Sequence, residues 1–119
     1  MVISKTYYLY IVPAQVAGKW RLQASLPGGG REYEFELGQH YQEINGGARV
    51  PGGYLPAFEA RLEGDRIAFV LVEDGTSHRF EGRVRSGLEI EGEVRSGTGR
   101  NLATGRWRAT RVIPGAGEG

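Results

Sequence analysis

The residues of this chain best suited to chemistry are its two histidines, His40 and His78, and the polar residues beside the second one. Two imidazoles can ligate zinc, but a zinc site takes three or four ligands, and no third residue with metal-ligand spacing accompanies them. Asp74, Ser77 and His78 supply the residue types of a hydrolytic triad. Neighbouring residues of a strand point to opposite faces, so Ser77 and His78 cannot share the hydrogen bond that a triad needs. The sequence therefore predicts neither a catalytic nor a metal site.

Three glutamates and three glycines are the next candidates. Glu32, Glu34 and Glu36 alternate along one segment, and paired carboxylates serve as general acid and base in some enzymes. Like charges spaced by two residues are typical of the solvent-facing side of a strand, where arginines on a neighbouring strand pair with them. Residues 28–30, Gly-Gly-Gly, follow a proline and precede a strand instead of a helix. They therefore predict a turn and not a nucleotide-binding loop, and no cofactor is expected.

Composition narrows the possible partners. The chain has 119 residues, which suits a single domain, and its 15 basic and 14 acidic side chains leave a net charge of +1. Such an even balance argues against nucleic acid and against a membrane surface as partners. The absence of cysteine excludes disulfides and thiolate metal sites and fits a cytoplasmic location. The apolar run at residues 7–12 is too short for a membrane helix, which needs about 20 residues.

The elements that must position these residues are strands. Residues 80–87 and 90–97 repeat one pattern, Phe-Glu-Gly-Arg-Val-Arg-Ser-Gly and then Ile-Glu-Gly-Glu-Val-Arg-Ser-Gly. Each copy alternates apolar or glycine positions with charged ones and ends in Ser-Gly, as an antiparallel strand followed by a tight turn does. Similar segments recur along the chain, and no helical pattern interrupts them. We predict an all-β fold, an antiparallel up-and-down β-barrel of about eight strands.

Turn residues set the expected boundaries. We predict turns at residues 27–30 and at residues 45–47, and a bulge at Gly38. Residues 54–62 are expected to form one strand with an irregular start, because Pro56 cannot donate to a ladder. We expect a docking segment or linker at residues 1–14, the barrel at residues 15–113 and a disordered tail at residues 114–119.

The two tryptophans mark the two strands that must pair if the sheet closes. Trp20 ends the Gly-Lys-Trp motif of residues 18–20 on the first regular strand, and Trp107 lies on the last. Glycine two residues before a tryptophan resembles the signature of lipocalin-like barrels, in which an arginine of the final strand packs across the indole. The resemblance assigns that role to Arg111, with Arg108 as second choice. The same ends are similar to avidin-type biotin binders, but the chain lacks the further tryptophans with which that family stacks biotin.

A longer resemblance covers most of the chain. It rests on Tyr-Leu-Tyr-Ile-Val-Pro-Ala at 8–14, Val-Ala-Gly-Lys-Trp at 16–20, Gln-His-Tyr-Gln-Glu-Ile at 39–44 and Ala-Arg-Leu-Glu-Gly-Asp-Arg-Ile at 60–67. These segments look like the C-terminal β-domain of a group of bacterial class I SAM-dependent methyltransferases, in which a Rossmann-type catalytic half comes first. The chain lacks the strand, glycine-rich turn and helix that would bind S-adenosylmethionine, so no methyltransferase site residue transfers to it. The resemblance implies a non-catalytic accessory domain of such an enzyme, whose partner is the methyltransferase catalytic domain or another protein domain.

Three functions stay open from the sequence. An accessory domain predicts an exposed apolar patch, formed by residues 7–12 or by Val70 and Val72. A free-standing lipocalin- or avidin-like barrel predicts an interior cavity for a small apolar ligand, and a small enzyme predicts a titratable cluster in a cleft. The side chains expected to close the barrel or to line such a cavity are Trp20, Phe35, Phe69, Phe80, Trp107 and Arg111. If the aromatic ones fill the interior, the ligand hypothesis loses its pocket.

Overall fold

The computed structural model describes residues 14–97 and 102–113. All regular secondary structure in those two ranges is β-strand, and nine strands are present there. Residues 1–13 of the predicted docking segment and the predicted tail at residues 114–119 lie outside the described residues. The strands are β1 (Gly18–Leu26), β2 (Gly29–His40), β3 (Glu43–Val50), β4 (Gly53–Pro56), β5 (Phe58–Glu63), β6 (Arg66–Glu73), β7 (Thr76–Ser86), β8 (Glu89–Ser96) and β9 (Ala103–Arg111).

The nine strands form one antiparallel sheet in the order β4-β3-β2-β1-β9-β8-β7-β6-β5. Strands adjacent in sequence pair with each other except at β4 and β5, and β1 also pairs with β9, so the first and last strands meet. The sheet curls into a nearly closed barrel with its seam between β4 and β5, where the Ala57 N–H donates to the Gly46 carbonyl at 2.8 Å. The predicted all-β up-and-down barrel is confirmed, but the number of strands is nine and not about eight.

The additional strand comes from the segment around Pro56. Residues 54–62 were expected to form one strand, and they form the end of β4 and most of β5. Pro56 has no N–H to donate, and the N–H of Ala57 turns toward β3 instead of continuing the ladder. A register shift between Phe58 and Arg61 and the positive φ of Glu59 (52°) then redirect the chain along β6. The break gives the barrel two short edge strands at its seam.

The turn between β2 and β3 is not where the sequence predicted it. The chain reverses at Tyr41 and Gln42, and Tyr41 has a φ of 57°, a conformation that glycine adopts more readily. β2 continues without a register shift through Gly38, which pairs with Asn45, so the predicted bulge at Gly38 is wrong. A tyrosine in the left-handed region carries no turn signal in sequence, which is why the reversal was missed.

The glycines predicted to form that turn lie inside β3. A Cβ atom on Gly46 would collide with the carbonyl of Glu36, and one on Gly47 would collide with the carbonyl of Leu55. Glycine is therefore required here because the backbones of β2, β3 and β4 approach closely where the sheet bends. The Asn-Gly-Gly sequence was predicted to form a turn, but its two glycines lie in a strand and allow neighbouring backbones to pack closely.

The ten-residue repeat is explained by the same kind of packing. β7 and β8 pair so that Gly82 of the first copy lies opposite Gly92 of the second. A Cβ atom on Gly82 would lie 2.5 Å from Cζ2 of Trp107, and the Trp107 Nε1–H donates to the carbonyls of Glu81 (3.1 Å) and Glu93 (3.0 Å). Gly82 thus makes room for a tryptophan that lies against both repeat strands, whereas Gly92 allows the backbone of β7 to approach closely.

Candidate functional site

One end of the barrel is covered by the chain that leads into β1. Residues 14–17 cross this end, and the side chain of Val16 is fully buried. The Gln39 side chain holds the segment by accepting a hydrogen bond from the Val16 N–H at 2.7 Å and donating to the Ala14 carbonyl at 2.8 Å. The Ala14 N–H donates to the Gly64 carbonyl at 2.8 Å. We call this the capped end.

Arg111, at the end of β9, fastens the segment. Its guanidinium lies over the Trp20 ring, with Cζ 4.4 Å from the ring centroid. Nε donates to the Gly87 carbonyl (2.6 Å), Nη1 to the Ala17 carbonyl (2.6 Å) and Nη2 to the Gln15 carbonyl (2.8 Å). Three charge-assisted hydrogen bonds and a cation–π contact therefore join the last strand, the first strand and the capping segment.

The Gly-Lys-Trp motif has a steric role in this contact. The φ of Gly18, +129°, favours glycine, and a Cβ atom there would lie 2.8 Å from Nη1 of Arg111, so a larger residue would displace the guanidinium. The structure places Arg111, and not Arg108, on the indole. Arg108 lies on the outer surface of the barrel, where it pairs with Glu89 at 3.3 Å and Glu91 at 3.8 Å.

The other residues proposed to line a cavity meet in the barrel interior. Phe69 stacks between Phe35 and Phe80, with ring centroids 4.7 Å and 4.9 Å apart. Trp107 packs edge-on against Phe69 at 5.7 Å and Phe80 at 5.5 Å. These four rings and Trp20 are all buried. Because they contact one another, they occupy the space that an apolar ligand in the middle of the barrel would need.

The opposite end of the barrel carries a polar cluster that the sequence did not predict. Glu73, the last residue of β6, accepts a hydrogen bond from the Tyr33 hydroxyl at 2.8 Å and an ion-paired hydrogen bond from Arg31. The Arg31 guanidinium lies 5.3 Å from the centre of the Tyr33 ring. Burial raises the pKa of Tyr33, and the hydrogen bond to the Glu73 carboxylate raises it further. Tyr33 is therefore a permanent hydrogen-bond donor to Glu73.

A buried histidine lies beside this cluster. Nδ1 of His78 is 2.7 Å from Oγ of Ser96, and the two residues face each other across β7 and β8. Burial lowers the pKa of His78 from its ordinary value of 6.5, and the charge of Arg31 lowers it further, against an opposing effect of Glu73. His78 is therefore uncharged at neutral pH. Ser96 is buried, so the pair is not an exposed nucleophile with its base.

The polar cluster borders a cavity of about 280 Å³ that opens at this end, which we call the polar mouth. One wall is the β1–β2 turn, which exposes backbone because it contains consecutive glycines, and the other is the β6–β7 hairpin. The lining residues are Leu26, Pro27, Gly28, Gly29, Gly30, Arg31, Glu73, Asp74, Thr76 and His78. Charged, hydrogen-bonding and apolar groups thus converge on one small cavity, as in a ligand site.

Of the residues considered for chemistry from the sequence, Asp74 and His78 both border the polar mouth, but the two histidines lie at opposite ends of the barrel. His40 lies at the capped end, solvent-exposed and 4.0 Å from Glu43, whereas His78 is buried at the polar mouth. Within residues 14–97 and 102–113, no three acidic or histidine side chains lie close enough together to hold a metal ion. Glu32 faces solvent and pairs with Arg21 at 3.2 Å, as expected for the wet face of a strand.

No helix that could cross a membrane occurs in the part of the chain that the structure describes. Comparison with protein families and with curated proteins gives no match. Two solved structures share the fold. A redesigned β-barrel is 7% identical with a TM-score of 0.58, over 89% of this chain and 96% of that one. The chain EF1p2_mFAP2b, solved bound to DFHBI, is 9% identical with a TM-score of 0.53, over 88% of this chain and 97% of that one. These similarities show that the chain has a β-barrel fold.

Proposed function

We propose that this chain is a non-catalytic β-barrel domain that acts by binding another protein domain at its capped end. The observation that carries the proposal is the position of its exposed apolar side chains. Four of the eight large apolar side chains that are exposed in the described residues lie at this end. They are Tyr41 (77% exposed), Leu88 (52%), Val112 (40%) and Ile113 (47%).

The capped end is suited to a partner for two further reasons. The hydrogen bonds of Gln39 and Arg111 fix residues 14–17 in place, so the surface is rigid before a partner binds and little conformational entropy is lost on association. The described chain also enters at Ala14 and leaves at Ile113 at this same end. A domain connected to either side of the barrel would therefore lie against the apolar side chains, and burying them contributes about 25 cal/mol per Å².

The partner class comes from the resemblance of residues 8–67 to the β-domain of class I SAM-dependent methyltransferases. We propose a methyltransferase catalytic domain as the partner, with the barrel contributing contacts or shaping access for the substrate. The apolar patch expected at Val70 and Val72 is a weaker candidate, because Val70 is buried and only Val72 is exposed. S-adenosylmethionine itself is expected to bind the catalytic partner and not the barrel.

A free-standing ligand-binding barrel is the second candidate. The polar mouth favours it, because a cavity of about 280 Å³ with converging polar groups is present at the end of the barrel opposite the capped end. The packed aromatic interior disfavours an apolar ligand in the middle of the barrel. A ligand would therefore have to bind at the mouth.

The proposal is tested by measuring binding of the barrel to a class I methyltransferase catalytic domain from which the C-terminal β-domain has been removed. We expect saturable binding by titration calorimetry, and a loss of at least tenfold with Leu88→Asp, which places a charge on the capped end. Val72→Asp is the matched control, since Val72 is similarly exposed on the barrel wall.

Three results would overturn the proposal. They are the absence of binding, equal weakening by the two aspartate variants, and tight binding of S-adenosylmethionine to the barrel alone. Thermal unfolding of both variants must match that of the unmodified chain, because a change in stability would otherwise mimic a loss of contact. Leu88 lies in a turn and is half-exposed, so Leu88→Asp is expected to fold.

A further inference from the structure

We propose that the polar mouth binds a small organic cation that carries an ammonium or amidinium group, with Glu73 as its anionic anchor. The site lies at the opposite end of the barrel from the proposed partner surface and does not depend on that surface. Its ligand class follows from the charge, the free hydrogen-bonding capacity and the shape of the cavity.

The charge of the lining favours a cation over an anion. Glu73 and Asp74 contribute two carboxylates, and Arg31 contributes the one guanidinium among the lining residues. His78 adds no charge at neutral pH. The described lining residues therefore carry a net negative charge, which attracts an organic cation.

Glu73 retains the capacity to accept further hydrogen bonds. A carboxylate offers about four lone-pair positions, and the described contacts of Glu73 are one from Tyr33 and one from Arg31. Because Tyr33 is buried and stays protonated, it fixes the carboxylate group in position. The Arg31 guanidinium pairs with one oxygen of this carboxylate, Oε2, so a ligand cation would use the remaining lone pairs.

His78 supplies a second polar group at the bottom of the cavity. The residue is only 6% exposed and borders the cavity, and its Nδ1 contacts Ser96. No described residue forms a hydrogen bond with its other ring nitrogen, Nε2. An uncharged imidazole in this position does not repel a cation, whereas a protonated one would. The charged groups facing it are Arg31 from β2 and Glu73 from β6.

The shape of the cavity limits the ligand to a small molecule. Gly28, Gly29 and Gly30 present no side chain, so a ligand can approach the backbone of the β1–β2 turn directly. Leu26 and Pro27 add an apolar surface beside them. A flat or short apolar group attached to the cationic nitrogen fits this arrangement, since the nitrogen reaches Glu73 while the apolar part contacts Leu26.

The experiment uses the full chain and three probes of similar size, which are benzylammonium, benzyl alcohol and benzoate. Binding is followed by ¹H–¹⁵N NMR titration at pH 7.5. We expect benzylammonium to shift the backbone signals of residues 28–30 and of His78, and the neutral and anionic probes to cause no saturable shift. Benzoate binding as tightly as benzylammonium, or no saturable shift with benzylammonium, would overturn the proposal.

Two variants locate the anchor. Glu73→Gln is expected to weaken benzylammonium binding by about tenfold to a hundredfold, the range for loss of one charged hydrogen bond. Asp74→Asn is expected to weaken it severalfold, and it keeps the turn because asparagine tolerates the positive φ of this position (53°). Glu93→Gln, on the outer surface of β8, is the control and should leave the affinity unchanged.

Equal affinity in the unmodified chain and in both mouth variants would also refute the assignment. Asp74→Asn keeps the test valid if Glu73→Gln fails to fold. Because the probes are small molecules and the site lies at the opposite end of the barrel from the proposed partner surface, failure here would leave the protein-binding proposal intact. The reverse also holds, so the two proposals can fail separately.

Discussion

Replacing Arg111 by alanine tests whether the first and last strands are joined through its guanidinium. The side chain donates hydrogen bonds to the carbonyls of Gln15, Ala17 and Gly87 and lies 4.4 Å above the ring of Trp20. A hydrogen bond contributes about 1 kcal/mol net, and a cation–π contact about 0.5 to 2 kcal/mol. The residue is partly exposed, so solvent reduces these values. We expect Arg111→Ala to lower the free energy of unfolding by about 3 kcal/mol.

Arg108→Ala is the matched control for this prediction. Arg108 is on the same strand, and its contacts with Glu89 and Glu91 are ion pairs on a side chain that is 60% exposed. Such surface pairs contribute about 0 to 1 kcal/mol. Arg111→Lys adds a second comparison, because lysine keeps the charge but cannot reach three carbonyls with a planar group, so we expect an intermediate loss.

The assay is urea unfolding followed by tryptophan fluorescence, with hydrogen exchange at the Ala14 and Val16 N–H groups as a local readout. The prediction requires faster exchange at both amides in Arg111→Ala, since the segment loses two of its contacts, and little change in Arg108→Ala. Changes in unfolding free energy at independent sites add to within about 0.5 kcal/mol. If the two alanine variants differ by less than this amount, the proposed role of Arg111 is wrong.

Two further predictions concern the interior. Gly82→Ala should destabilise the fold by about 1 to 3 kcal/mol, because the added methyl group would lie 2.5 Å from Trp107. Gly87→Ala is the control, because its methyl group would meet no atom within 4 Å, and it should change stability by less than about 0.5 kcal/mol in the same urea assay. The lowered pKa of His78 means that the unfolded chain binds a proton more readily than the folded one, so stability should fall as the pH decreases below 6.5 toward the folded-state pKa. Unfolding curves at several pH values should show this slope in the unmodified chain and in His40→Asn but not in a His78→Gln variant, and an unchanged slope in His78→Gln would contradict the assignment.

The barrel could be predicted from the sequence because its evidence is local. Alternation of apolar and charged residues identifies β1, β7 and β8, and Asp-Gly at positions 74 and 75 correctly marks a hairpin. The pairing of β1 with β9 was expected from Trp20, Trp107 and Arg111, because these residues resemble the closing contact of lipocalin-like barrels. The strands and the hairpin can be recognised from residues that are close in sequence. The pairing of β1 with β9 can be recognised from a motif that predicts the contact of Arg111 with Trp20.

The contacts of the polar cluster could not be predicted from the sequence, because they depend on how far the strands are staggered around the barrel. Glu73 and Tyr33 are separated by 40 positions, and no local pattern shows that the end of β6 meets the start of β2. The contact of His78 with Ser96 is different, because it could have been found. Pairing the two repeat copies so that Gly82 faces Gly92 places residue 78 opposite residue 96. A serine on the neighbouring strand was thus the relevant partner of His78, and not the adjacent Ser77.

The position of β9 between β1 and β8 has a consequence for biosynthesis. Arg111 bonds to residues 94 and 96 positions earlier in the chain, so β1 cannot obtain its second partner until β9 has been synthesised. Until then β1 and β8 both present unpaired backbone edges, which promote association between nascent chains. Contacts this distant in sequence also slow folding. A nascent chain that stops before residue 103 should therefore associate with other chains more readily than one that contains β9.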